Sequence, residues 1–213
     1  MKTLETGAVK RLRVEVVSDV ICPWCYIGKR RFEKALALVT DEAKIELRWL
    51  PFQLNPDMPR EGMARADYRA RKFGSVERGR SLDARVAAEG QGEGIAFAFE
   101  RIERTPNTLA AHQLIEIAQQ EGRGDATVDA LFRAYFEQAR DIGDPAVLAE
   151  IAARCEVSGW PGAADEKRVV ALEASMRGLG ISAVPTFIFD RRLGVSGAHP
   201  PESLAAAMRE ALT

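Results

Sequence analysis

The sequence predicts an α/β fold interrupted by an all-helical insertion, and three observations carry that expectation. The first fifty residues alternate strand and helix character as β-α-β. The closing thirty return as β-β-α. Between them, from Asp67 to about Gly180, apolar residues recur almost throughout at helical spacing. One sheet domain split by a helical block accounts for all three.

The apolar, β-branched run Val14–Val17 reads as a strand, and Pro23 to about Val39 as an amphipathic helix. Ile45–Leu50 alternates, which places Ile45, Leu47 and Trp49 on one face of a second strand. Strands flanking a helix this closely pair in parallel through a right-handed crossover. Pro51 to Pro59, rich in Pro, Asn and Asp, reads as a loop. In the central block, Leu109, His112, Leu114, Ile115 and Ile117 follow helical spacing, as do Leu131, Phe132, Tyr135 and Phe136. Breaks are expected at Gly90–Gly94, Glu121–Gly124, Ile142–Pro145 and Ser158–Gly162. Thr105-Pro106 and Asp144-Pro145 read as helix entries with proline just inside the start. Pro185–Phe189 and Leu193–Ser196 supply two short strands about an Asp190-Arg191-Arg192 turn, and Pro201–Ala211 a closing helix. The expected division is a sheet domain at 10–60 and 181–213, with a flanking helix from about 165, and a helical insertion at 61–164.

Charge excludes some partners. Lys plus Arg total 30 against 31 for Asp plus Glu, so no basic field calls for nucleic acid or an anionic membrane. The polar stretch Met1–Arg13 has no apolar signal region, and no run reaches the ~20 apolar residues of a membrane span. A cytoplasmic setting is the expectation, where a close cysteine pair is catalytic or sensing rather than a structural staple.

The chemistry concentrates in Cys22-Pro23-Trp24-Cys25, at the junction of the first strand and helix. Thiols at this spacing reach each other, and the positive end of the helix dipole favours a thiolate on the first. Proline suits the first turn, which has no partner for its N–H. A structural zinc site needs four ligands, and the remaining candidates, Cys155, His112 and His199, fall in no paired spacing. Metal is therefore not expected.

Three segments together are similar to a known family: Ser18-Asp19-Val20-Ile21-Cys22-Pro23-Trp24-Cys25-Tyr26-Ile27-Gly28, Asn107-Thr108-Leu109-Ala110-Ala111-His112, and Ile181-Ser182-Ala183-Val184-Pro185-Thr186-Phe187. The first and third are specific and the second is weak alone. The chain resembles the thioredoxin superfamily, within it the DsbA-like group with a helical insertion, and there the FrnE-like branch. The resemblance implies a thioredoxin-like fold whose Val184–Pro185 bond is cis and lies beside the cysteines. By spacing alone Pro185 reads as a trans proline at a strand's first residue. A cis bond would free the preceding backbone to pair with an extended substrate.

Catalytic roles are expected at Cys22 as nucleophile, reached by solvent, and at Cys25 as resolving thiol. Asp19 reads equally as a general base for Cys25 and as a turn or capping carboxylate. Pro23, Trp24, Val184 and Pro185 are the expected substrate contacts. DsbA carries a histidine between its cysteines, and Trp24 offers no comparable donor, so a less oxidising potential is expected here. His112 reads as a packed core histidine, His199 as a loop residue, Cys155 as structural, and Phe97 and Phe99 as core.

Dithiol–disulfide exchange or isomerisation is thus the expected activity. No cofactor is needed beyond the redox-active cysteines, with glutathione a candidate co-substrate, and the partners are protein or small-molecule disulfides and dithiols. Two alternatives stand beside it. One is a glutathione-dependent kappa-type transferase or 2-hydroxychromene-2-carboxylate-type isomerase, whose relatives carry serine at the position of Cys22. The other is a non-enzymatic chaperone or binding module gated by oxidation.

Overall fold

A computed structural model describes residues 10–213; the stretch 1–9, and with it most of the polar N-terminal segment, lies outside the described residues. The chain opens with β1 (Lys10–Ser18), α1 (Pro23–Ala37) and β2 (Ala43–Pro51). The central block contains β3 (Met63–Ala64), α2 (Arg65–Phe73), α3 (Val76–Gly92), β4 (Arg104–Thr105) and α4 (Leu109–Gln120). It continues with α5 (Gly124–Phe132), α6 (Pro145–Arg154) and α7 (Glu166–Gly178). The chain closes with β5 (Thr186–Phe189), β6 (Leu193–Ser196) and α8 (Pro201–Ala211).

The main sheet has the order β2-β1-β5-β6, with β1 and β2 parallel and the later strands antiparallel. Register follows the apolar alternation: Leu12, Val14 and Val16 lie opposite Ile45, Leu47 and Trp49. This face packs on α1, where Phe32 stacks on Phe187 at 5.4 Å. On the other face Val17, Leu50 and Phe52 meet Met176 of α7. The three-residue β5–β6 turn holds Asp190 and Arg191 at φ 48° and 56°, a left-handed pair that reverses the chain tightly. Arg13 anchors it by donating its N–H to Asp190 Oδ1 at 2.9 Å.

An edge strand needs its outward backbone groups covered. On β2, Trp49 donates its N–H to Gln119 Oε1 at 2.6 Å, and Gln119 Nε2 returns a bond to the Trp49 carbonyl at 3.0 Å. One α4 side chain thus substitutes for a neighbouring strand and fixes α4 beside the sheet. On the opposite face Glu173 accepts from the backbone and side chain of Gln53 at 2.8 and 2.7 Å. Burial alone would raise its pKa, but these bonds and Arg177 hold it below 4.5.

The helical block does not form a separate core. Tyr26 of α1 stacks on Phe132 at 5.0 Å and Phe136 at 6.1 Å, and meets Phe97 edge-on at 6.0 Å. Its hydroxyl donates to Glu137 Oε1 at 2.7 Å. Lys29, buried on the same helix, is neutralised by Glu33, Asp125 and Asp129. A single apolar cluster runs from the sheet through this seam into α4, α5 and α6.

The block also departs from the all-helical expectation. Met63–Ala64 pairs antiparallel with Arg104–Thr105, and residues 93–98 are irregular. Thr105-Pro106 is no helix entry, because Thr105 belongs to β4 and α4 starts after Thr108. Asn107 makes that start instead: its Oδ1 accepts from Leu109 N–H at 2.9 Å and its Nδ2 donates to Met58 O at 2.7 Å. Asp144-Pro145 does open α6, with Asp144 accepting from Ala146 N–H.

If the aromatic seam joins α1 to the helices, Phe132→Ala should lower unfolding stability by about 3–5 kcal/mol. Urea denaturation at neutral pH measures this; a loss below about 1 kcal/mol would contradict the seam's role.

Candidate active site

Cys22 is the N-cap of α1, with an extended backbone (φ −90°, ψ 112°), and Pro23 follows in the first turn. The Cys22 carbonyl accepts from Cys25 N–H at 3.0 Å and Tyr26 N–H at 3.3 Å, which locks that turn. All three cysteines are free thiols. Trp24 is 40% exposed and Pro23 half-buried, so the motif's central dipeptide forms the rim. Cys22 is more enclosed than its position suggested, at 5% exposure, and Cys25 is sealed at 1%.

What covers Cys22 comes from the far end of the chain. The Val184–Pro185 bond is cis, and the Cys22 thiol lies 3.7 Å from the Val184 carbonyl oxygen, to which it donates. Gly28, one turn beyond Cys25, makes room for this approach: a Cβ there would stand 2.8 Å from Pro185 Cγ and 3.4 Å from the Phe187 ring. The Pro185 carbonyl is held by Gly197 N–H at 2.7 Å, while Ser182 and Ala183, preceding Val184, are exposed. The structure therefore brings Cys22, Cys25, Pro23, Trp24, Val184 and Pro185 to one place.

Burial pushes the Cys25 thiol well above 9.0 and the adjoining Cys22 sulfur raises it further, while the Ser18 hydroxyl and Asp19 backbone N–H oppose them. Asp19, read equally as a base and as a turn or capping carboxylate, has its side-chain partners on other segments. Its Oδ2 accepts from Leu54 N–H at 2.8 Å, and Oδ1 faces His112 Nε2 at 3.4 Å. The carboxylate thus pins the 52–55 loop and meets His112, and the Asp19 backbone, not its side chain, approaches Cys25. Ser18 and Gly28 were within the quoted motif without a role; a small polar residue and a glycine carry no signal until the packing around them is known.

The remaining candidates lie elsewhere. His199 Nε2 contacts Ser196 O at 2.9 Å in an exposed loop. Cys155 ends α6, half-buried, with its thiol 3.8 Å from Ala126 O. Phe97 and Phe99 pack in the aromatic seam and also line a groove of about 670 Å³ with Arg65 and Arg69. Among the described residues no cluster of three or more His, Cys, Asp or Glu is placed to hold a metal, and no helix is long and apolar enough to cross a membrane.

Residues 13–209 match the family model of the DSBA-like thioredoxin domain. The chain belongs to that family. Among solved structures, a probable DsbA oxidoreductase, SCO1869 of Streptomyces coelicolor, is 32% identical, with a TM-score of 0.86 over 94% of this chain and 90% of that one. The cytosolic disulfide reductase DsbM of Pseudomonas aeruginosa, also solved with GSH, shares the fold at 19% identity and a TM-score of 0.65, over 94% and 95% of the two chains. An uncharacterized protein of Bacillus subtilis, YwbO, is 26% identical over 83% of this chain and 86% of its own length.

Two outcomes follow from the geometry of this DSBA-like domain. Gly28→Ala should drive a methyl into Pro185 and lower stability by about 1–3 kcal/mol; a thermal midpoint equal to wild type would show that Pro185 yields freely. The raised Cys25 pKa gives a pH dependence whose sign is fixed. The folded state favours the protonated thiol, so its contribution is complete below the unfolded pKa near 9.0 and is lost as pH rises toward the higher folded value. Reduced protein should therefore lose thermal stability from pH 8 to 10, and Cys25→Ala should remove that component. An identical decline in the variant would refute the assignment.

Proposed function

We propose that this chain is a dithiol–disulfide oxidoreductase that exchanges disulfides through Cys22 and Cys25. The observation that carries the reading is the asymmetry of the pair. Cys22 stands at a helix N-terminus against the Val184 carbonyl, two residues before an exposed tryptophan, while Cys25 is more deeply buried. A substrate approaching the rim meets Cys22 first.

The exchange proceeds in two displacements. The Cys22 thiolate attacks a substrate disulfide, forming a Cys22–substrate bond and releasing one substrate thiolate. Cys25 then attacks Cys22 Sγ, closing the Cys22–Cys25 disulfide and releasing the second thiolate. Two electrons pass from the pair to the substrate, and the reverse sequence oxidises a dithiol. Trp24 and Pro23 supply an apolar contact for the substrate chain. The exposed Ser182–Ala183 stretch beside Val184 leaves room for an extended peptide, although the Ala183 carbonyl accepts from the Thr186 hydroxyl. Glutathione is the small disulfide or thiol we assign as co-substrate, in keeping with the fold shared with DsbM, a reductase solved with GSH. That neighbour is described as cytosolic, and we place this chain's action in the same compartment. Two thiols, where a glutathione transferase or isomerase of this architecture needs only one polar group, favour redox exchange over those alternatives.

Equilibration in glutathione buffers tests the proposal, with insulin reduction in parallel. A reversible two-electron couple is expected between about −270 and −180 mV, below DsbA's value near −120 mV. Cys22→Ser should reduce turnover to background. Turnover indifferent to Cys22, or the absence of a reversible couple, would overturn the reading; a potential at or above DsbA's would overturn the role given to Trp24.

A further inference from the structure

Helices α2 and α3 contribute little to the core. α2 buries none of its residues, and α3 buries only Gly79, Val86 and Gly90. Between this pair and segment 97–103 lies the groove of about 670 Å³, a size typical of small-molecule sites. None of the residues placed at Cys22 lines it, so the exchange site leaves it unexplained. Its room comes from small side chains, since Ala64, Ala66, Ala84 and Ala87 all stand in its walls. Phe97 and Phe99 supply an aromatic wall, stacked on each other at 4.6 Å and backed by the seam where Phe97 meets Tyr26.

The charges of the groove do not balance where water reaches them least. The Arg65 and Arg69 side chains are only 12% and 13% exposed, and both pair with one carboxylate, Asp83, at 3.1 and 2.8 Å. Two guanidinium groups on one carboxylate leave one positive charge over. Arg69 is set in place by α3: it donates to the Gly79 carbonyl, and a Cβ on Gly79 would stand 2.8 Å from Arg69 Nε. Burial lowers the Arg69 pKa below 12.5; Asp83 opposes that, and the Arg65 charge adds to it. The described bonds of both arginines use Nη2, so donors remain for a further acceptor. The Arg65 guanidinium also lies over the Phe99 ring at 5.5 Å, which joins the charged end to the aromatic wall. Arg80, Glu100 and Glu103 complete the charged lining, but all three are exposed and water screens them more than the buried triad. Arg65–Gly92 as a whole carries seven Lys and Arg against four Asp and Glu, in a chain of net charge −1.

We propose that this groove binds a small aromatic anion, with its carboxylate or sulfonate on Arg65 and Arg69 and its ring on the Phe97–Phe99 wall. A carboxylate meets the guanidinium fork with two parallel bonds and brings the charge that Asp83 alone does not supply. Inorganic phosphate would satisfy the arginines and leave the apolar wall wet. A neutral aromatic would cover the wall and leave the extra charge unpaired. A ligand carrying both groups fits both ends. The site is separate from the cysteine pair, and neither reading depends on the other.

Fluorescence titration of the full chain with 8-anilinonaphthalene-1-sulfonate tests the site, with 1-naphthoate and its uncharged counterpart 1-naphthylmethanol as competitors. One saturable site is expected, from which 1-naphthoate displaces the probe at least roughly 10-fold better than 1-naphthylmethanol, the worth of a bond to a charged group. Arg69→Gln should weaken probe binding by about 10- to 100-fold for the same reason. Ala84→Phe, at an exposed position in the groove wall, should block the probe, and it carries the test if Arg69→Gln does not fold. Equal displacement by the two competitors would overturn the arginine anchor. Displacement by inorganic phosphate as effective as by 1-naphthoate would overturn the aromatic contact. No saturable binding, or binding unchanged in the folded variants, would overturn the site itself.

Discussion

Helix α1 is held between two surfaces, and the arrangement of the molecule depends on that sandwich. One face carries Gly28 and Phe32 against Pro185 and Phe187 of the sheet domain. The other carries Tyr26 and Lys29 into the aromatic and acidic side chains of the helical block. Because the cysteines open this helix, whatever fixes α1 fixes them. Loosening either contact would move Cys22 relative to Val184, since their 3.7 Å approach joins segments 162 residues apart. The helical block is thus part of the site's support, packed through one continuous core, and not an appendage that merely overhangs it.

The same logic explains the single glutamine at the sheet edge. Gln119 spends its amide on both backbone groups of Trp49 and thereby sets the depth of α4. His112 lies two turns earlier on that helix, so Asp19 at the end of β1 meets it because β1 and β2 are in register and α4 is docked on β2. An edge-capping bond and the Asp19–His112 contact are one constraint.

Much of this was legible in the residues and some was not. Strand alternation in Ile45–Leu50 placed Ile45, Leu47 and Trp49 on one face, and Asp144-Pro145 announced a helix start, because each signal is local. The pairing of Cys22 with Val184 came only from resemblance, since nothing in the spacing of Pro185 distinguishes it from an ordinary strand-start proline. Thr105-Pro106 misled because Asn107 supplies the start two residues later, with a contact to Met58 that no local pattern reveals. Asp19 stayed open between a base and a turn or capping carboxylate, because the partners of its side chain, Leu54 and His112, come from distant segments. The roles of Ser18 and Gly28 depend on what packs against them, which is tertiary information.

If Cys25 resolves a mixed disulfide as proposed, its burial places two demands on the core that conflict. Sealing Cys25 keeps it protonated and unreactive until Cys22 has engaged a substrate, which protects the mixed disulfide from competing thiols. It also removes solvent as a proton acceptor. An entirely apolar lining would satisfy the first demand and fail the second. The core near the motif instead includes Ser18, Asp19 and His112, buried polar residues whose unpartnered atoms cost stability. Ser18 and His112 line a small polar cavity, and Asp19 joins His112 to the 52–55 loop, so polar contacts as well as apolar packing shape the core behind the motif.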